Sequence, residues 1–445
     1  MAWNRLYSLK SYMRSSLWLV PFFALLIYIG AIRLVYLLEP WLVQIEPWPP
    51  WGVAGSQRLL ETIITMTLTF VVFTFGSLLV AIQIAGGQLT PRIIATTLLR
   101  DNAIRFTVGL FIFTLLFATG SLARLETDVH HAVVGIAGVF GFLSIIAFLY
   151  LIDYAARLLR PVSIVLRVSQ LGRDVIEDVF PTTVGDEVDL MPAPSLPNGQ
   201  PDKVIRYQGR PAIIVAVNKS ALLKMAQKTH SVVELVPRIG DFVASGEPLF
   251  RLYGATLPDE TLLRTMIAFG PERTLEEDAT FAFRIIVDIA IKALSKAIND
   301  PTTAVLAIDQ LQRLLCFVGK RSLREEATLD QSGELRVLCR TPDWDDFVKL
   351  TFSEIRLYGA GNFQIARRLR AVLESGLQVL PACRRPALEA ELVLLDQQLA
   401  ELYRFPEDLA LARVADAQGL GGSKPLPDEA RIRMENAQWE PRRSA

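Results

Sequence analysis

Residues 62–92 read TIITMTLTFVVFTFGSLLVAIQIAGGQLTPR. The run Thr62–Ile84 has no charged side chain and suffices to cross a hydrocarbon core, which takes about 20 helical residues. A break is expected at Gly86-Gly87, where two adjacent glycines weaken a helix and offer a hinge. The chain then restarts at Thr90-Pro91, a helix N-cap followed by proline at the first helical position. A membrane span, a hinge and a surface helix, in that order, set the topology of the rest.

Three more apolar runs flank this one: Leu17–Leu38, Phe106–Leu122 and Ala132–Leu151. The first follows a basic N-terminal stretch. It is too long for a signal-peptide core and no small-residue cleavage site follows it, so it reads as a retained span. Lysine and arginine placement gives the orientation. Arg5, Lys10 and Arg14 precede span one, Arg92, Arg100 and Arg105 lie between spans two and three, and Arg157, Arg160 and Arg167 follow span four. The other side has Arg33, Arg58 and Arg124 at span edges, among Glu39, Glu46, Glu126 and Asp128. Both termini are therefore expected in the cytoplasm. Trp41, Trp48 and Trp51, in EPWLVQIEPWPPWG, fit an outer interfacial belt.

The length of 445 residues suggests two or three units. Lys plus Arg and Asp plus Glu both number 46, so no charge imbalance points to nucleic acid. The 51% hydrophobic content blends a membrane part with a soluble part, because long charge-free runs occur only before Leu151. The cysteines Cys316, Cys339 and Cys383 all lie in the soluble half without CxxC spacing. That pattern suits reduced thiols in a cytosolic compartment.

In span two, Thr62, Thr65, Thr69, Phe73, Gly76, Val80 and Gln83 recur at helical spacing and share one face. Such a face can line a pore or a seam between helices. Equally, threonines can bond carbonyls of their own preceding turn while small residues let helices pack. No Asp, Glu or Lys lies deep in any span, which argues against proton- or ion-coupled pumping; Arg33 is near a span end, where it can snorkel. His130 and His131 sit beside Glu126 and Asp128, but adjacent histidines point apart and no third ligand is spaced to join them, so no metal is assigned. The segment PRIIATTLLRDNAIR, within 88–105, reads as an amphipathic elbow. Ile93, Ile94, Leu98 and Leu99 meet the bilayer surface while Arg92, Arg100 and Arg105 contact lipid phosphates.

Helical spacing continues from Asp153 to Phe180 as a stalk with a bend at Pro161, before a Pro-, Gly- and acid-rich linker, 181–202. Residues 203–255 read as a small β-sandwich-like module, with strands Ala212–Val217, Ser231–Val236 and Pro248–Tyr253 and a helix Ala221–Gln227. Its segment VPRIGDFVASGEPLFRL resembles the turn of lipoyl- or biotinyl-type domains, without a lysine placed to carry a cofactor. Residues 256–417 read as mainly helical, with Leu275–Ala297, a helix opened by Asp300-Pro301, a strand Glu334–Cys339, and helices near Asp343–Tyr358, Asn362–Leu380, Pro386–Tyr403 and Pro406–Ala415. The polar cluster Asn299, Asp300, Thr302 and Thr303 offers a carboxylate and free N–H groups to a ligand, or simply makes a helix corner. Residues 418–445 have the composition of a disordered tail.

The fold class is thus four transmembrane helices (1–160), a stalk and linker (161–202), and a cytosolic α+β region. SLLVAIQIAGGQLTPRIIATTLLRD and ALSKAINDPTTAV resemble the signature regions of a bacterial family of predicted membrane proteins, filed as domain of unknown function 2254. That resemblance implies the four-helix architecture and residence in the bacterial inner membrane, and supplies no activity. The only histidines are His130, His131 and His230, with no Gly-rich phosphate loop, nucleophile elbow or HExxH. No enzyme, catalytic residue or cofactor is expected. The expected partners are the lipid bilayer, further copies of the chain and an unidentified cytosolic partner, with no nucleic acid. The reading is an oligomeric, passive channel-like assembly, or alternatively a membrane-anchored sensor or scaffold with a binding cytosolic domain.

Overall fold

The computed structural model of the protein describes residues 3–16, 18–45, 51–88, 101–125, 129–158, 160–184, 199–323 and 327–421. Helix α1 (Trp3–Ser15) precedes α2 (Leu19–Ile45), α3 (Val53–Gln88), α4 (Asn102–Leu122) and α5 (His131–Leu158). The last four are long and apolar enough to cross a membrane. They contain the last three runs marked in the sequence and all of the first from Leu19, and they outlast them, because in hydrocarbon every backbone N–H must find its carbonyl within the helix.

Helix α4 is the centre of this bundle and packs on α2, α3 and α5. In its apolar window 44% of residues are buried, against 11% for α2. Small residues permit the close approach: Gly109 lies against Val20, and Gly120 against Tyr28 and Ile32. One apolar cluster joins Ile32, Leu60, Ile63, Phe117 and Val133. A second joins Leu78, Ile104, Val108, Phe111 and Leu151, with Phe70 stacked on Phe148 at 4.0 Å between centroids. Between α4 and α5 a buried hydrogen bond, Ser144 Oγ to Thr114 Oγ1 at 3.1 Å, satisfies two hydroxyls at once.

Helix α6 (Pro161–Val179) starts at the proline expected to bend the stalk. The chain forms two compact units. The first holds residues up to Arg167 together with Ala216–Asn218 and Thr261–Pro271; the second holds Val168–Val215, Lys219–Glu260 and the chain from Glu272.

In the second unit, β1 (Lys203–Arg206), β5 (Pro248–Tyr253), β3 (Val232–Leu235), β8 (Leu335–Cys339) and β7 (Ala327–Leu329) form one sheet in that spatial order. All neighbours are antiparallel except β3 and β8, where Glu234 pairs with Leu338. A separate ladder joins β2 (Ala212–Val217) to β4 (Phe242–Val243), and β6 (Ile267–Gly270) groups with the first unit. The strands expected within 203–255 are present, but β2 stands apart, and the sheet of β3 and β5 is completed by β7 and β8 from much later in the chain. A parallel neighbour needs a long crossover, and here the helices Ala279–Ala293 and Pro301–Gly319 lie between the paired strands in sequence.

After α7 (Lys219–Thr229) and α8 (Glu260–Arg264) come α9 (Ala279–Ala293), α10 (Pro301–Gly319), α11 (Trp344–Gly359), α12 (Phe363–Val379), α13 (Arg385–Leu402) and α14 (Pro406–Ala412). Phe283, Phe347 and Phe352 are fully buried among them. Capping starts α10, α11 and α12 where the sequence placed them, while α9, expected from Leu275, starts at Ala279 behind its cap Asp278. Asp343 and Asp346 form a capping box, and Asn362 caps α12 through Gln364 N and Ile365 N. Past α14 the chain returns over α12. Arg367, only 1% exposed, donates to the carbonyls of Val414 and Gly421. Asp416 accepts the amides of Gln418, Gly419 and Gly421. The tail expected from 418 thus begins with four residues held in place; 422–445 lie outside the described residues.

Asp278 caps α9 with Oδ1, while its Oδ2 is buried without a hydrogen bond. Burial raises its pKa above the ordinary carboxylate value, opposed by hydrogen bonds from Thr280 and by Arg273. A raised folded-state pKa gives a stability contribution that is full below the unfolded pKa and fades as pH rises through the folded one. Asp278→Asn keeps an accepting cap oxygen and removes the buried charge. Its melting temperature, relative to wild type, should therefore climb as pH rises above about 4 in calorimetry of the full chain.

Candidate functional site

The α3 face singled out in the sequence is on the outside of its own bundle. Thr62, Thr65, Thr69, Phe73, Gly76, Val80 and Gln83 are all exposed on the single chain, while Leu60, Ile63, Thr67, Thr74, Leu78 and Ala81 face inward. Nothing lies within 4 Å of where a Cβ on Gly76 would be. The hydroxyls turn back on their own helix: Thr62 Oγ1 donates to Arg58 O at 2.7 Å, Thr65 to Glu61 O at 2.9 Å and Thr69 to Thr65 O at 2.8 Å. Each keeps an oxygen lone pair on the outer surface, so the stripe can accept hydrogen bonds without leaving a donor unpaired.

Two expectations need correction. Helix α3 does not break at Gly86-Gly87 but runs through both to Gln88, because an unbroken ladder satisfies the backbone at a cost of about 1 kcal/mol per glycine. Arg105 does not belong to a surface elbow. It lies in the first turn of α4 and donates to Met13 O at 3.2 Å. Residues 89–100 of the elbow, including Arg92 and Arg100, lie outside the described residues.

The start of α4 holds the most elaborate polar constellation in the bundle. Asp101 is 1% exposed. Its Oδ1 accepts from Ala103 N at 2.9 Å and Ile104 N at 3.3 Å, capping the helix. Its Oδ2 accepts from Tyr154 Oη at 2.5 Å, near the end of α5, and from Arg167 Nη1 at 2.6 Å, on α6. One carboxylate thus joins three helices. Both oxygens are satisfied, which a buried charge requires. The arrangement can position and couple the three helices. Sequence reading counted Arg167 only as an inside-positive charge and left Asp101 and Tyr154 aside. An aspartate five residues before the apolar run Phe106–Leu122, at the start of its helix, is a readable N-cap signal.

The remaining candidates are placed plainly. Asp300 caps α10, accepting from Thr303 N at 3.1 Å and Thr303 Oγ1 at 2.5 Å, and Asn299 takes a positive φ of 49° to turn the corner. Thr302 is exposed beside them. His130 pairs with Glu39 and stands edge-on to Tyr36 at 4.9 Å, and His131 accepts from Trp51 N at 3.4 Å. Among the described residues no three His, Cys, Asp or Glu are grouped to hold a metal ion. Burial pushes the Cys339 thiol up to about 11, so it stays protonated at neutral pH.

Four apolar helices long enough to span a bilayer, packed through glycines and sealed at one end by a buried ion pair, define a helical membrane protein with an attached α+β unit. The chain belongs to the family described as predicted membrane protein DUF2254, whose profile matches residues 14–375. It is similar to the uncharacterized proteins Mb1321c of Mycobacterium bovis and Rv1290c of Mycobacterium tuberculosis. Each is 23% identical over 442 residues, covering 93% of this chain and 82% of the relative. No solved structure matches.

Removing one partner of a buried pair strands the other charge, so Asp101→Ala should lower stability by about 3–5 kcal/mol and Tyr154→Phe by about 1 kcal/mol. Asp101→Asn combined with Arg167→Gln should lose less than the sum of the two single changes. Thermal unfolding of the detergent-solubilised full chain reads all of these; additive losses would mean that Asp101 and Arg167 do not act as a pair.

Proposed function

We propose that the chain assembles with further copies of itself in the bacterial inner membrane, with both termini cytoplasmic. In this assembly α3 turns Thr62, Thr65, Thr69, Gly76 and Gln83 toward a passive, channel-like pathway. The observation that carries this reading is the position of the stripe: Thr62, Thr65, Thr69, Gly76 and Gln83 are all exposed on the isolated bundle. From Thr62 to Gln88 the helix has no charged residue, which suits a pathway without ion-coupled steps. The Asp101 latch then fixes the α4–α5–α6 framework against which α3 is held.

The rival reading is a membrane-anchored sensor. It draws on Glu234 of β3, which is fully buried and accepts from Tyr253 Oη at 3.0 Å, Arg251 Nη1 at 3.3 Å and Arg340 Nη2 at 3.4 Å. Arg251 and Arg340 are 36% and 49% exposed. Each guanidinium carries five donors, more than Glu234 can take, so both retain donors for an acidic partner.

Purified full-length protein in planar bilayers should conduct, and Thr65→Val with Thr69→Val should change conductance or selectivity at least severalfold. Thr69→Cys should crosslink between copies. A silent bilayer under varied voltage, tension and pH, or a label on residue 69 surrounded by lipid, removes the pathway reading. Loss of a captured partner on Arg251→Ala with Arg340→Ala would favour the sensor.

A further inference from the structure

Helix α1 reads WNRLYSLKSYMRS and contains no acidic residue. Its two sides differ. Trp3, Asn4, Tyr7 and Ser11 are partly buried, and α1 packs beside β6 within the first unit. On the other side Leu6 and Leu9 are each 49% exposed, Tyr12 57% and Met13 42%. At about 100° per residue, Leu9, Met13 and Leu6 form one continuous stripe, with Arg5 along one edge and Lys10 along the other. Apolar side chains flanked by cations, on a helix without acids, are the pattern of a helix lying in a membrane surface.

Two contacts fix the depth of α1. Trp18 directly precedes Leu19, where the first span begins, and its Nε1 donates to Tyr12 Oη at 3.3 Å. Tryptophan and tyrosine concentrate where headgroups meet hydrocarbon. Arg105, one turn into α4, donates to Met13 O at 3.2 Å and so ties the end of α1 to the level at which α4 starts. A helix anchored at that level has the interface within reach of its whole exposed stripe.

We propose that the Leu6–Leu9–Met13 face of α1 is seated in the headgroup region of the bilayer that holds α2, with Arg5 and Lys10 on the phosphates of anionic phospholipids. The site is independent of the α3 pathway and stands whether or not the chain conducts. The lipid layer covers an apolar face that water would otherwise meet, and two cations select for its charge.

The test uses full-length protein in nanodiscs, with Cys316, Cys339 and Cys383 replaced by alanine and a nitroxide on Leu9→Cys. One set of discs contains zwitterionic phosphatidylcholine alone and the other includes phosphatidylglycerol. In the anionic discs the label should be more accessible to dissolved oxygen than to a water-soluble nickel chelate. Arg5→Glu with Lys10→Glu should shift its partition toward water by on the order of tenfold or more, while leaving the melting temperature unchanged. Equal nickel access in both lipids, dipolar broadening from a second copy, or immersion indifferent to lipid charge and to the double reversal would each overturn the proposal.

Discussion

A carboxylate out of contact with water must be paired, and Asp101 is where the membrane bundle meets that requirement. One oxygen starts α4; the other takes the Tyr154 hydroxyl and the Arg167 guanidinium. Because α4 touches every other long helix of the bundle, the place where α4 begins sets the register of the apolar layers above it. The stacking of Phe70 on Phe148 and the close seat of Val20 on Gly109 follow from that register. The polar group thus acts mainly through geometry. Its net stabilisation is modest for a buried pair, but this one side chain accepts from four donors at once.

Helix α3 divides its labour by face. Inward, Thr67 and Thr74 spend their hydroxyls on Ile63 O and Phe70 O and let bulky neighbours pack. Outward, the same bonding pattern leaves hydroxyl oxygens on an open surface. Identical local chemistry therefore serves a sealed core on one side and an unoccupied stripe on the other. The difference lies only in what the fold places opposite.

Periodicity and capping carried most of the architecture. The four spans were legible because roughly twenty uncharged residues have few other uses, and Asp300-Pro301, Asn362 and Asp343 marked helix starts that the structure keeps. Local patterns could not tell that β3 takes β8 as its parallel neighbour, since strand partnership depends on distant chain. Gly86-Gly87 misled for a related reason: glycine's entropy cost is a property of the residue, whereas continuity of the helix depends on its surroundings. The Asp101 constellation was hidden because its two partners, Tyr154 and Arg167, are separated by 53 and 66 residues from the aspartate. No spacing rule gathers them.

Arg367 finds its acceptors at positions 47 and 54 residues downstream, on Val414 and Gly421. That side chain is only 1% exposed, and both carbonyls lie beyond α14. The burial of α12 is therefore complete only when a segment 47 to 54 residues further along the chain has folded back over it. A cut between α14 and Val414 would take from that guanidinium two acceptors that the helix itself cannot supply.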